Sequence, residues 1–138
     1  MKSIMQESLG TVAAEKKVLR ILIGEEHEIN QQVLSKIVQS LGCISEIAFS
    51  AAELVETCSK EPFDYVLLDL ELLSRNSLTV AEIVQAARLG NPSVSLVVLT
   101  SDPGYADKQK CLSAGAVDYV EKPLRRERIQ KILVNGDL

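Results

Sequence analysis

Asp69, Thr100, Lys122 and the adjacent Glu25 and Glu26 are the side chains in this 138-residue sequence whose types and positions suit phosphoryl chemistry. Asp69 closes the run Phe63-Asp64-Tyr65-Val66-Leu67-Leu68, and Glu25-Glu26 follows Val18-Leu19-Arg20-Ile21-Leu22-Ile23-Gly24. Thr100 follows Val94 to Leu99, and Lys122 comes shortly after Val117 to Val120. Each stands at or just past the end of an apolar stretch, and open parallel sheets bind ligands at the carboxyl ends of their strands. Three carboxylates brought to about 4 Å of one another repel by several kcal/mol per pair at a surface-like dielectric, so the set calls for a cation. Magnesium suits it, being a hard ion held by one or two carboxylates, several waters and phosphate oxygens. An aspartate beside such an ion can act as a nucleophile toward phosphorus. Lys122 would then neutralise a phosphoryl oxygen and Thr100 would hydrogen-bond another.

The elements that must position these groups are legible as alternating apolar runs and amphipathic stretches. Strands are expected over 18–23, 44–49, 63–69, 94–99 and 117–120, where β-branched and apolar residues dominate. The run Tyr65 to Leu68 has no polar alternation, as a strand covered on both faces requires. Ile29, Val33, Leu34, Ile37, Val38 and Leu41 recur at helical spacing before Gly42. Ser50 with Glu53 can cap a second helix running to about Ser59, and Val80, Ile83, Val84 and Ala87 mark a third between Ser77 and Leu89. Glu71 to Asn76 reads as a loop. Pro103 and Gly115 bracket a fourth helix, and Ile129, Ile132 and Leu133 mark a fifth over 124–134. Five strands alternating with five helices over short connections give an α/β fold, a doubly wound parallel sheet with helices on both faces.

At this length the chain is one domain, expected over 17–138, with a leader over 1–16 that carries no motif. A net charge of −4 gives no general attraction to nucleic acid or anionic membrane. No apolar run approaches the ~20 residues that span a bilayer, and 1–17 lacks the apolar core of a secretory signal, so the expected location is cytoplasmic. Cys43, Cys58 and Cys111 form no Cys-x-x-Cys pair and are expected to be buried free thiols. His27, the single histidine, is expected in an exposed loop, and Lys122, Arg125, Arg126, Arg128 and Lys131 on a solvated helix face. No Gly-x-Gly-x-x-Gly turn follows a strand, which argues against a dinucleotide oxidoreductase.

Over roughly 17–134 the sequence resembles the receiver domains of two-component response regulators and hybrid histidine kinases. The resemblance rests on Ile21 to Asn30, Phe63 to Asp69, Val97 to Ser101, and Gly115 to Leu124 with its Glu121-Lys122-Pro123. It implies a flavodoxin-like (βα)5 sheet of strand order 2-1-3-4-5 and a two-component phosphorelay role. Asp69 would accept a phosphoryl group from a histidine kinase or histidine phosphotransfer protein. Glu25, Glu26, Asp69 and Glu71 would be the metal-side acids for Mg2+, Thr100 the switch hydroxyl, Tyr119 the switch aromatic and Lys122 the phosphate-contacting cation. The same resemblance implies a cis Lys122-Pro123 bond and a downstream protein target on the face Tyr105 to Leu133, with homodimerisation left open. The output would act in trans, or the chain would be one piece of a larger protein such as a hybrid kinase.

Two features depart from the family pattern. The metal-side pair usually contains an aspartate, commonly second, where this chain has Glu26 with an extra methylene. The loop after the acceptor usually carries proline and glycine where this chain has Leu73 and Ser77. Both departures are expected to weaken Mg2+ binding. They support an alternative reading, a phosphorylation-independent pseudo-receiver acting as an interaction module. A third reading, a haloacid-dehalogenase-like hydrolase, expects an acid two residues after the nucleophile, where Glu71 stands.

Overall fold

The computed structural model describes residues 17–102 and 104–136, so the leader over 1–16 and the helix-start proline Pro103 lie outside the described residues. Five parallel strands, β1 (Arg20–Gly24), β2 (Ile44–Ala48), β3 (Tyr65–Asp69), β4 (Ser95–Thr100) and β5 (Asp118–Glu121), lie in the order β2-β1-β3-β4-β5. The expected doubly wound sheet is therefore present, with β3 at its centre. Asp69 sits opposite Leu99 in the β3–β4 register and Gly24 opposite Leu68 in the β1–β3 register. This brings the strand ends that carry Glu25, Asp69 and Thr100 to one edge.

Helices follow the strands: α1 (Glu28–Ser40), α2 (Ala51–Lys60), α3 (Leu70–Arg75), α4 (Val80–Gly90), α5 (Tyr105–Ser113) and α6 (Arg126–Gly136). Along β3 the side chains alternate between two apolar layers. Val66 and Leu68 join Leu54, Phe63, Ile83 and Val98 on one face. Tyr65 and Leu67 join Ile21, Leu34, Val97 and Ile129 on the other. With both faces covered, alternation of position carries no alternation of polarity, which is why β3 reads as a continuous apolar run. Each fully buried leucine or isoleucine adds about 1.5–3 kcal/mol of transfer free energy to that arrangement.

Local signals set the helix boundaries. Ser50 Oγ accepts from Glu53 N at 3.2 Å and Glu53 Oε1 accepts from Phe49 N at 2.7 Å, so this pair caps α2 in both directions. Thr79 and Glu82 do the same for α4. Gly42, at φ +84, ends the turn after α1 in the left-handed region that glycine enters without a Cβ clash. Cys58 and Cys111 are buried free thiols and Cys43 is partly buried. Burial pushes the Cys58 thiol up to about 11, which keeps it protonated and unreactive at neutral pH.

The segment Glu71 to Asn76 is not the expected loop. Leu70 to Arg75 form a short helix, because Asp69 caps its first turn and Leu72 and Leu73 drive it into the core at 0% and 1% exposure. The turn after it places Ser77 at φ +57. A side chain in that region costs about 1–2 kcal/mol, and glycine avoids the cost while loosening the unfolded chain by about 0.4–1 kcal/mol. Ser77→Gly is expected to raise stability by about 0.5 kcal/mol in urea unfolding; a loss would show that the serine side chain holds the turn.

Candidate functional site

Glu25 directly follows β1 and is fixed on all sides. Its N–H donates to Ala48 O at 3.3 Å, its carbonyl accepts from Gln31 Nε2 at 2.6 Å, and its Oε2 accepts from His27 N at 3.0 Å. Its side chain is fully buried. Asp69 is equally buried, with Oδ1 accepting from Glu71 N at 3.3 Å. The Lys122 ammonium bridges the two carboxylates, 3.2 Å from Glu25 Oε1 and 3.2 Å from Asp69 Oδ1. Lys122 is brought there from beyond β5, where the Lys122-Pro123 bond is cis, as expected.

Asp69 Oδ2 is buried and has no hydrogen-bond partner. Folding normally satisfies such an atom, so the carboxylate is left with one oxygen available for chemistry. Burial pushes the Asp69 pKa up, Lys122 draws it down and Glu25 pushes it up again, leaving it above the usual aspartate value. Burial lowers the Lys122 pKa, but Asp69 and Glu25 raise it by more, so the ammonium stays charged. Two carboxylates and one ammonium leave the buried cluster one negative charge in excess.

The other expected acids stand differently. Glu26 is about one-third exposed and pairs with Arg75 of α3 at 2.5 Å, Oε1 to Nη1. Glu71 Oε2 accepts from Ser101 Oγ at 3.1 Å, and its Oε1 is 4.0 Å from Arg75 Nη2. Among the described residues no three Asp, Glu, His or Cys side chains gather as a metal cage. Magnesium needs no such cage: one or two carboxylates suffice when waters and phosphate oxygens complete the octahedron. Asp69, with its free Oδ2, and Glu25 beside it fit that requirement as hard oxygen donors.

Thr100 is 2% exposed at the end of β4, and its Oγ1 accepts from Asp102 N at 3.1 Å. Tyr119 is 7% exposed and packs with the α2 and α4 layer. Its hydroxyl lies toward the Gly104 backbone and the Thr100 side chain without meeting hydrogen-bond geometry, and burial pushes its pKa up. His27 is exposed, as expected, although its backbone N–H serves Glu25. Beside Lys122 an open cleft of about 340 Å3 is lined by Glu25, Asn30, Leu34, Ser101, Lys122 and Leu124 among others.

Gln31, Arg75 and Ser101 were not among the expected site residues. Gln31 left a signal, a polar residue three before Leu34 and seven before Val38 on the buried stripe of α1. Arg75 left none, since it meets Glu26 only through the unexpected helix.

The chain as a whole resembles known proteins. A family model for the response regulator receiver domain matches residues 21–134. Hybrid signal transduction histidine kinase B of Dictyostelium discoideum is 30% identical over 138 residues, covering 93% of this chain and 7% of that protein. The signal transduction histidine-protein kinase BarA of Escherichia coli K12 is 22% identical over 130 residues, covering 94% of this chain and 14% of that protein. The chain thus spans a small part of the curated relatives it matches. Among solved structures, the receiver domain of sensor histidine kinase PA1611 from Pseudomonas aeruginosa PAO1 superposes with a TM-score of 0.73. It is 26% identical over 88% of this chain and 98% of that one, and holds a magnesium ion in its active-site cleft. A CheY-like receiver domain protein from Methanospirillum hungatei JF-1 superposes with a TM-score of 0.74 at 24% identity, over 88% of this chain and 95% of that one.

Proposed function

Because the chain belongs to the response regulator receiver domain family of two-component signalling, we propose that Asp69 is its phosphoryl acceptor and that acceptance switches a protein-binding surface. The observation that carries this reading is the buried, unpartnered Asp69 Oδ2, on a carboxylate whose other oxygen shares the Lys122 ammonium with a second acid, Glu25. In the transfer, an Asp69 carboxylate oxygen attacks phosphorus of a phosphohistidine on a histidine kinase or phosphotransfer protein. An O–P bond forms, the P–N bond breaks, and its electron pair returns to the imidazole nitrogen. Lys122, already charged and in place, neutralises charge on the phosphoryl oxygens as it develops, and Thr100 donates to one of them. Magnesium, held by Asp69 and Glu25 when bound, supplies further positive charge there. Glu71, which accepts from Ser101 Oγ, tunes hydrolysis of the acyl phosphate in this reading.

Thr100 is the switch hydroxyl and Tyr119 the switch aromatic in this reading. Moving Thr100 toward a phosphoryl oxygen changes what faces the buried Tyr119 hydroxyl, and the response spreads over the face 105–133. The receiver module is taken to run over 17–138. One observation favours the phosphorylation-independent alternative: Glu26 is engaged by Arg75 rather than by the acceptor.

A single experiment separates the two. Wild type and Asp69→Ala are incubated with acetyl phosphate and Mg2+, then examined by intact mass. One phosphoryl adduct on wild type, absent from the variant and lost with chelator, is the expected result. No adduct at saturating Mg2+ or Mn2+ on folded protein would transfer the assignment to the pseudo-receiver.

A further inference from the structure

The mouth of the site is crossed by a polar chain that runs from the β1 end to the β4 end. Glu26 Oε1 meets Arg75 Nη1, Arg75 Nε also donates to Glu71 O at 3.4 Å, and Glu71 Oε2 accepts from Ser101 Oγ. Arg75 is the last residue of α3, whose first turn is capped by Asp69 itself. The guanidinium is therefore held to the acceptor by less than two turns of helix. Glu26 is adjacent to the fully buried Glu25, so its backbone already stands at the cation-binding edge while its carboxylate is turned to Arg75.

We infer that Arg75 is a positioning residue that holds Glu26 out of the divalent-cation site, acting as an internal cation in competition with the metal. The inference rests on the metal site proposed above at Asp69 and Glu25. A cation entering beside Asp69 Oδ2 gains Glu26 as a second or third carboxylate only by displacing the guanidinium. The glutamate's extra methylene gives its carboxylate the reach to serve either partner. The pair is part-exposed, so its strength is that of a surface ion pair, and its removal shifts affinity by a few-fold rather than by orders of magnitude.

The test is calorimetric titration of Mg2+ into wild type, Arg75→Ala, Glu26→Gln and the double variant, each checked for folding by thermal melting. Arg75→Gln replaces any Arg75→Ala protein that does not fold. Arg75→Ala is expected to bind Mg2+ about fivefold more tightly than wild type, the worth of an exposed ion pair at the upper end of its range. The gain should vanish in the Glu26→Gln background, because there is then no carboxylate to release. Equal or weaker binding by Arg75→Ala overturns the inference. An equal gain in both backgrounds also overturns it, showing that Arg75 acts only as a nearby charge. Binding by wild type with no effect of Arg75 leaves the Asp69 and Glu25 site standing, whereas no binding by any variant removes both.

Discussion

Lys122→Ala is expected to lower unfolding free energy by about 3 kcal/mol at pH 7, because it strips the cation from two fully buried carboxylates. The cost has a ceiling. One carboxyl can take up a proton instead, which for an ordinary aspartate at pH 7 costs about three pKa units or ~4 kcal/mol. The deficit should therefore shrink as pH falls and a proton replaces the ammonium. Wild-type Lys122 has its pKa raised above the usual lysine value by Asp69 and Glu25, which outweigh the lowering by burial. Its stabilisation is thus fully present below the ordinary lysine pKa and is lost only as pH rises through the higher folded value. Urea unfolding of both proteins from pH 5 to 8 checks the amplitude and the slope. A deficit independent of pH would mean that lost packing of the lysine stem, not charge, dominates. Acceptance from acetyl phosphate should be lost as well.

Asp69→Asn is expected to act in the opposite direction, raising stability by about 1.5 kcal/mol at pH 7, within the usual range for relieving a strained functional site. The amide oxygen can still accept from Lys122 and Glu71 N, while the excess negative charge beside Glu25 disappears. The sign with pH follows from the raised Asp69 pKa, caused first by burial and then by Glu25 against the pull of Lys122. The stabilisation that goes with that shift is complete below the ordinary aspartate pKa and is lost as pH rises through the folded value. The advantage of Asp69→Asn should therefore be largest at neutral pH and close toward about pH 4. An Asp69→Asn protein less stable than wild type at pH 7 would show that the carboxylate earns more from Lys122 than it loses to Glu25. Combining Asp69→Asn with Lys122→Ala should recover most of the lysine variant's deficit.

The sheet was legible because burial on both faces writes β1, β3 and β4 as uninterrupted apolar runs, and because polar residues stop each run at the same edge. Glu25, Asp69, Thr100 and Lys122 could be marked for the same reason, being charged or hydroxyl groups at the ends of apolar strands. Helix α3 was not legible. Six residues are too few to show a 3.6-residue period, its two buried leucines are adjacent in sequence, and its cap is the strand-end Asp69 rather than a separate Ser or Thr. Missing that helix hid Arg75, and with it the direction of Glu26. From sequence, two adjacent glutamates look equivalent. In the fold one is locked by Gln31, His27 N and Lys122, and the other answers to an arginine from a different element.

The double role of Asp69, last residue of β3 and cap of α3, leaves no spacer between the central strand and the helix after it. Chemical change at that carboxylate therefore alters the same bond that pins the Glu71 amide. The exchange of that single amide proton with solvent is thus coupled to the chemical state of the Asp69 carboxylate. The joint is stiff by construction: Leu72 and Leu73 anchor the first turn in the core, so the helix start cannot drift to absorb a bulkier group at Asp69. Displacement is passed instead to its far end, where Asn76 N and Leu78 N both donate to Leu73 O and Asn76 Nδ2 donates to Leu72 O around the left-handed Ser77. Asp69 and the exposed turn at Asn76 and Ser77 are in this way linked as the two ends of one short lever.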